Sequence, residues 1–223
     1  VLQYSFTKTY KVRKDLSSEF NVGVCELRVL HGTTTVGLVT ETAAIVAADR
    51  RASSGTYIAH KAVKKIVRIA DHAVLTTAGL VADTQVLASL LRIKATEYSV
   101  TNRARIPIRS LASYLSLILN TYKYTPFIVQ FILAGYDDRP RLFNIEFFGD
   151  YVEDKFTATG SGSPIAIGIL EAEYRENLSE EEAVQLAVKA VRSSTRRDVF
   201  SGEAVDVAIV RANGIEERFF SLG

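Results

Sequence analysis

Thr33 has more chemistry open to it than any other residue of this sequence, and it lies in the run His31-Gly32-Thr33-Thr34-Thr35. Cutting the Gly32–Thr33 peptide bond would make Thr33 an N-terminus, with a hydroxyl nucleophile and a free α-amine on one residue. An adjacent amine is one way to activate a weak hydroxyl. An α-amine titrates at about 7.7–8.0 against about 10.4 for lysine, so roughly a tenth of it can accept a proton at neutral pH. Glycine before the nucleophile leaves its carbonyl open to attack and allows unusual backbone geometry. In an uncut chain the same nitrogen is an amide and cannot serve as a base. Without the cut, a threonine opening a β-rich run is an ordinary strand residue.

Two charged residues could support such a nucleophile. Asp49 ends the run expected to pair with the Thr33 strand, and Lys65 opens the apolar stretch Lys65-Ile66-Val67, where a buried charge would need a partner. A Lys65–Asp49 pair could hold positive charge beside Thr33, lowering the amine's pKa and favouring the alkoxide. A surface lysine remains the alternative reading from spacing alone. The three histidines, His31, His60 and His72, are scattered and read as surface or turn residues without metal spacing. Gly160-Ser161-Gly162-Ser163-Pro164 lacks the lysine of a phosphate-binding loop and reads as a tight strand-to-helix turn. Asn177-Leu178-Ser179 matches a glycosylation sequon but reads as a loop leading into a helix cap.

The elements that must position these residues are legible as hydrophobic periods. Thr33–Thr40 and Ala43–Asp49 read as a hairpin about Glu41-Thr42, and Lys65–Ile69 and Ala73–Thr77 as a second about Asp71-His72. Helices follow over Leu80–Tyr98, with Val86, Leu87, Leu90, Leu91 and Ile93 at helical spacing, and over Ile108–Tyr122 after Pro107. Strands are expected at Phe127–Ala134, Leu142–Phe148 and Tyr151–Thr159. Helices then run over Pro164–Tyr174 and Glu180–Arg197, the latter opened by the capping box Ser179-Glu180-Glu181-Glu182. Its basic end, Arg192, Arg196 and Arg197, suits the helix dipole. Ala204–Arg211 and Ile215–Phe220 close the chain as a hairpin across Asn213-Gly214. Hairpins dominate without βαβ alternation, which predicts an α+β fold of two antiparallel sheets covered by helix pairs.

Composition bounds the function. The 223 residues are 48% apolar, enough for one large core, and no apolar run approaches the roughly 18–20 residues that cross a bilayer. Glu26 and Arg28 interrupt the only candidate for a signal segment, so a cytoplasmic location is expected. Residues 1–32 carry five basic and three acidic side chains, which leaves the rest formally neutral with no excess to bind nucleic acid. The single cysteine, Cys25, also lies in this leader, so the remainder has no disulfide and no thiolate metal site. The division expected is a leader over 1–32 and one domain over 33–223.

Five motifs in register complete the reading. Gly32-Thr33-Thr34-Thr35-Val36-Gly37, Ala47-Ala48-Asp49-Arg50-Arg51-Ala52-Ser53, Thr76-Thr77-Ala78-Gly79, Gly160-Ser161-Gly162-Ser163 and Asp198-Val199-Phe200-Ser201-Gly202 together resemble a proteasome β subunit of the archaeal type. The resemblance runs from Gly32 to near the C-terminus and implies the Ntn-hydrolase fold, a four-layer αββα sandwich. It implies that Thr33 is the nucleophile, that Gly32–Thr33 is an autocatalytic cleavage site, and that Asp49 and Lys65 form the charged pair. The Gly79 N–H matches the oxyanion donor, and Ser161, Asp198 and Ser201 match residues that orient the terminal threonine. Ala52, Val63, Val67, Thr77 and Val81 would line the first specificity pocket, and their small, uncharged character predicts cleavage after apolar residues. The same resemblance implies a threonine endopeptidase made as a zymogen, without metal or cofactor, that degrades unfolded polypeptides. It further implies seven-membered β rings stacked between rings of α subunits and fed by an ATP-driven unfoldase, with no nucleic acid or membrane partner. The alternative is a structural β subunit that stays unprocessed and cleaves nothing.

Overall fold

A computed structural model describes residues 32–54 and 57–221. The leader before Gly32, with Cys25 and His31, lies outside the described residues. Twelve strands and four helices follow: β1 (Thr35–Val39), β2 (Ala44–Asp49), β3 (Ala52–Ser54), β4 (Tyr57–His60), β5 (Ile66–Ala70), β6 (Ala73–Gly79), α1 (Val81–Asn102), α2 (Ile108–Thr121), β7 (Val129–Tyr136), β8 (Pro140–Ile145), β9 (Tyr151–Glu153), β10 (Phe156–Thr159), α3 (Ser163–Glu173), α4 (Glu180–Thr195), β11 (Ala204–Arg211) and β12 (Gly214–Ser221).

Ten of these strands build two five-stranded antiparallel sheets, ordered β10-β1-β2-β11-β12 and β5-β6-β7-β8-β9, and β3 and β4 pair by themselves. Their composition explains the layering. The β2 sequence Ala-Ile-Val-Ala-Ala-Asp is buried throughout, because a central strand covered on both faces has no solvent side to keep polar. Ile45 and Ala47 face the cluster that includes Ala187 and Val191 of α4, while Ala44 and Val46 face Ile132 and Leu142 of the other sheet. On the far side, Leu75, Phe131 and Phe143 pack under Leu87, Leu91, Leu111 and Leu115 of α1 and α2. The result is the helix–sheet–sheet–helix sandwich the sequence predicts.

The elements depart from the sequence reading in four places. Tyr151–Thr159 is not one strand: β9 pairs with β8 in one sheet, and β10 pairs with β1 in the other. The chain changes sheets at Asp154-Lys155, where the Asp154 N–H donates to Leu142 O at 3.1 Å and the Lys155 carbonyl accepts from the Val39 N–H at 2.9 Å. The short hairpin β3–β4 was not expected, its strands being too brief for a period to show. On α1, Leu87 and Leu91 enter the core but Val86 and Ile93 face outward, as helical spacing allows two candidate faces. The last hairpin turns on Ala212-Asn213, because Gly214 already pairs with Arg211 as the first residue of β12. His72 occupies a turn as expected, yet it is buried, with Nε2 2.8 Å from the Ile106 carbonyl. The capping box forms as read: the Glu182 N–H donates to Ser179 Oγ and the Ser179 N–H to the Glu182 carboxylate.

Candidate active site

Thr33 and Thr34 lead into β1 and are buried, so their polar groups must find partners inside the protein. The Thr33 hydroxyl donates to the Gly32 carbonyl oxygen at 2.7 Å, which sets it against the Gly32–Thr33 peptide group. The Thr33 N–H donates to Ser161 Oγ at 3.2 Å. Its carbonyl accepts from the Gly162 N–H at 3.4 Å in the turn between β10 and α3. Gly160 of that turn has φ +88°, and a Cβ there would overlap the Thr33 carbonyl oxygen. Only glycine allows both the backbone conformation and the approach.

Asp49 ends β2, and antiparallel pairing returns it to the start of β1, where its N–H donates to Thr34 O at 3.2 Å. Its buried carboxylate holds four donors. Oδ1 accepts the Thr34 N–H at 2.9 Å and Lys65 Nζ at 2.8 Å. Oδ2 accepts the Arg51 N–H at 3.0 Å and the Gly202 N–H at 2.9 Å. That set fills the acceptor capacity of a carboxylate and leaves no lone pair to act as a base. Lys65 precedes β5, and the side chains of the pair are only 6% and 0% exposed. Burial pushes the Lys65 pKa below the usual lysine value, opposed by the charge and hydrogen bond of Asp49. Its backbone is fixed as well, because the Thr77 N–H donates to Lys65 O at 2.9 Å.

A second carboxylate organises the other flank. Asp198 Oδ2 accepts from Ser161 Oγ and from Ser201 Oγ, each at 2.6 Å, and Oδ1 accepts from the Phe200 N–H at 3.2 Å. Hydroxyl-to-carboxylate bonds this short belong to the strong, charge-assisted kind. Thr33, Ser161, Asp198 and Ser201 thus form one connected chain, and Asp49 and Lys65 form another. Ser201 Oγ lies 2.7 Å from Thr34 Oγ1, so Thr34 touches both.

A cavity of about 550 Å³ opens beside Thr33. Its lining includes Gly79 and all five residues expected to form the specificity pocket: Ala52, Val63, Val67, Thr77 and Val81. Gly79 has φ +118°, and a Cβ would overlap the Ile128 carbonyl oxygen, so the backbone at the cavity wall is kept bare. The sequence reading missed the part of the lining that one face of α1 supplies through Thr84, Gln85, Ala88, Ser89 and Arg92. Their steps of three and four from Val81 carry that signal. Also missed were Thr34 and the clamp of Arg51, whose guanidinium bonds Glu203 Oε1 at 3.1 Å and Val199 O at 2.9 Å.

Comparison with known proteins now bears on this geometry. Residues 29–210 match the family model described as Proteasome subunit. The chain is 51% identical over 200 residues to proteasome subunit beta 2 of Hyperthermus butylicus, covering 90% of this chain and 94% of that one. It is 48% identical over 196 residues to proteasome subunit beta 2 of Ignicoccus hospitalis, covering 88% and 92%. It is 45% identical over 197 residues to proteasome subunit beta 1 of a Saccharolobus islandicus strain, covering 88% and 93%.

The chain belongs to the proteasome subunit family. The four-layer arrangement is that family's Ntn fold. A proteasome subunit serves in the proteasome core and assembles there with other proteasome subunits. No helix among the described residues is long and apolar enough to cross a membrane.

Proposed function

We propose that this proteasome subunit is a threonine endopeptidase, made as a precursor and activated by its own Thr33. The observation that carries the reading is the Thr33 hydroxyl, held 2.7 Å from the Gly32 carbonyl oxygen at the edge of the cavity. In activation, Thr33 Oγ bonds to the Gly32 carbonyl carbon and the C–N bond to Thr33 breaks, its proton passing to the new amine. Water then hydrolyses the ester, releasing the leader over 1–32 from the domain over 33–223. Thr33 Oγ next attacks a substrate carbonyl, and the freed amine takes the hydroxyl proton through water and delivers it to the leaving amine. A second water resolves the acyl-enzyme. The Gly79 N–H is the proposed oxyanion donor, a role whose loss elsewhere costs on the order of 3 kcal/mol.

Lys65, held by Asp49, supplies positive charge that lowers the amine's pKa and favours the alkoxide. Ser161, Asp198 and Ser201 orient the terminal residue. The small, uncharged side chains of Ala52, Val63, Val67, Thr77 and Val81 in the cavity lining support cleavage after apolar residues. Fluorogenic peptides test this: apolar residues at that position give the fastest cutting, and faster cutting after acidic or basic residues would overturn it. We place the chain in a seven-membered β ring between rings of α subunits in the cytoplasm, supplied with unfolded polypeptide by an ATP-dependent unfoldase. Mass spectrometry of Thr33→Ala, assembled without active β subunits, tests self-processing. The leader is expected to stay attached, and removal at Gly32 would defeat the reading.

A further inference from the structure

Thr34, the residue after the proposed nucleophile, is buried and belongs to none of the roles assigned above. Counting protons fixes what its hydroxyl does. Asp198 Oδ2 lies 2.6 Å from both Ser161 Oγ and Ser201 Oγ. Each serine hydroxyl donates to it at that distance, Ser161 more closely than to the Thr33 carbonyl oxygen at 3.3 Å, and so spends its single proton there. Ser201 Oγ then has only lone pairs to offer Thr34 Oγ1 at 2.7 Å, and Thr34 must be the donor. By the same count Ser161 Oγ accepts from the Thr33 nitrogen at 3.2 Å. The order is therefore directional, from Thr34 to Ser201 to Asp198, with Ser161 joining the same carboxylate oxygen to Thr33.

The backbone of the same residue reaches the other flank. The Thr34 N–H donates to Asp49 Oδ1 at 2.9 Å, on the oxygen that also holds Lys65 Nζ at 2.8 Å. One residue thus bonds to the group that fixes the cation and to the chain that fixes the terminal nitrogen.

We propose that Thr34 is a positioning residue for the Thr33 reaction: its hydroxyl locks Ser201 and Asp198 so that Ser161 holds the terminal nitrogen in place. This rests on the threonine-peptidase reading. The hydroxyl is fully buried against Ser201 and out of reach of a substrate in the cavity. Its loss should therefore appear in kcat and leave KM unchanged.

The test uses the full chain assembled with its partner subunits, with Thr33→Ala in parallel. Thr34→Val keeps the shape and removes the donor; Thr34→Ser keeps the donor. Thr34→Val is expected to lower kcat about tenfold, the size of one net hydrogen bond, while Thr34→Ser stays close to the parent. On a Ser201→Ala background Thr34→Val should have little further effect, because the two act in series. Should valine block assembly, Thr34→Ala removes the hydroxyl without the added methyl and is judged by the same criteria. Unchanged kcat in the variant lacking the hydroxyl, a serine variant as poor as that one, or full additivity with Ser201→Ala would each overturn the proposal. A parent no more active than Thr33→Ala would instead overturn the peptidase reading itself.

Discussion

Two groups of charged residues in this subunit are built on opposite principles. Lys65 and Asp49 form a single pair, almost fully buried, with every lone pair of the carboxylate committed. Around Arg141 the charges are many and partly wet. Its guanidinium reaches Asp137 at 2.7 Å, Asp138 at 2.8 Å and Glu153 at 3.0 Å, and Glu153 also meets Arg139 and Arg109. That second group joins β8 and β9 to α2, whose first N–H, on Ile108, donates to Asp137 at 3.1 Å. Its hydrogen bond to Asp137 raises the Arg141 pKa further above its already high ordinary value. Burial moves Lys65 the other way, towards neutrality. The group that fastens the fold holds its proton harder, and the pair assigned to chemistry under the proposed function has one loosened.

The largest effect expected from breaking that contrast is at Thr33, the proposed nucleophile. Thr33→Ala should abolish peptidase activity in peptide assays and leave the unfolding midpoint near the parent value. Next comes the pair itself. Lys65→Met leaves the Asp49 carboxylate buried without its counter-charge, and breaking such a pair costs about 3–5 kcal/mol. Chemical denaturation should show that loss, and peptide assays should show activity lost with it. The corresponding change in the second group, Arg141→Met, should cost less and leave kcat alone, because Asp137 keeps the Ile108 N–H and Glu153 keeps Arg139 and Arg109 when Arg141 is lost. An Arg141→Met variant as damaging to activity as Lys65→Met would erase the contrast.

The pH dependence should be the mildest effect. A lowered lysine pKa means that the folded subunit gives up this proton at a lower pH than an unfolded chain would. The positive charge on Lys65 is therefore lost as pH rises through that lowered value. Peptidase activity should fall on an alkaline limb lying below the roughly 10.4 of an ordinary lysine. A limb at or above that value would remove Lys65 from the proposed electrostatics.

How far the sequence carried this account depends on the range of the signal. Local periods and caps were legible, as in α4, where Ser179 and Glu182 sit three residues apart and pair as read. The split at Asp154-Lys155 was not, because both halves keep a strand-like pattern and only tertiary pairing sends them to different sheets. In the site, charge beside an apolar strand only suggested the Asp49–Lys65 pair, with a surface lysine as the alternative, and the motif resemblance made it an expectation. Thr34 was hidden because it stands in a run of threonines that any strand would tolerate. The Arg51–Glu203 clamp spans 152 positions of sequence, a distance over which no local pattern speaks.

The central claim is that Thr33 becomes a free N-terminus and is the nucleophile. The most direct measurement is to label the assembled particle with a threonine-directed electrophile and map the adduct by mass spectrometry. The account predicts an adduct on a chain that begins at Thr33, carried on that residue. A chain that keeps Gly32 and takes no label, or a label on any other residue, would contradict it.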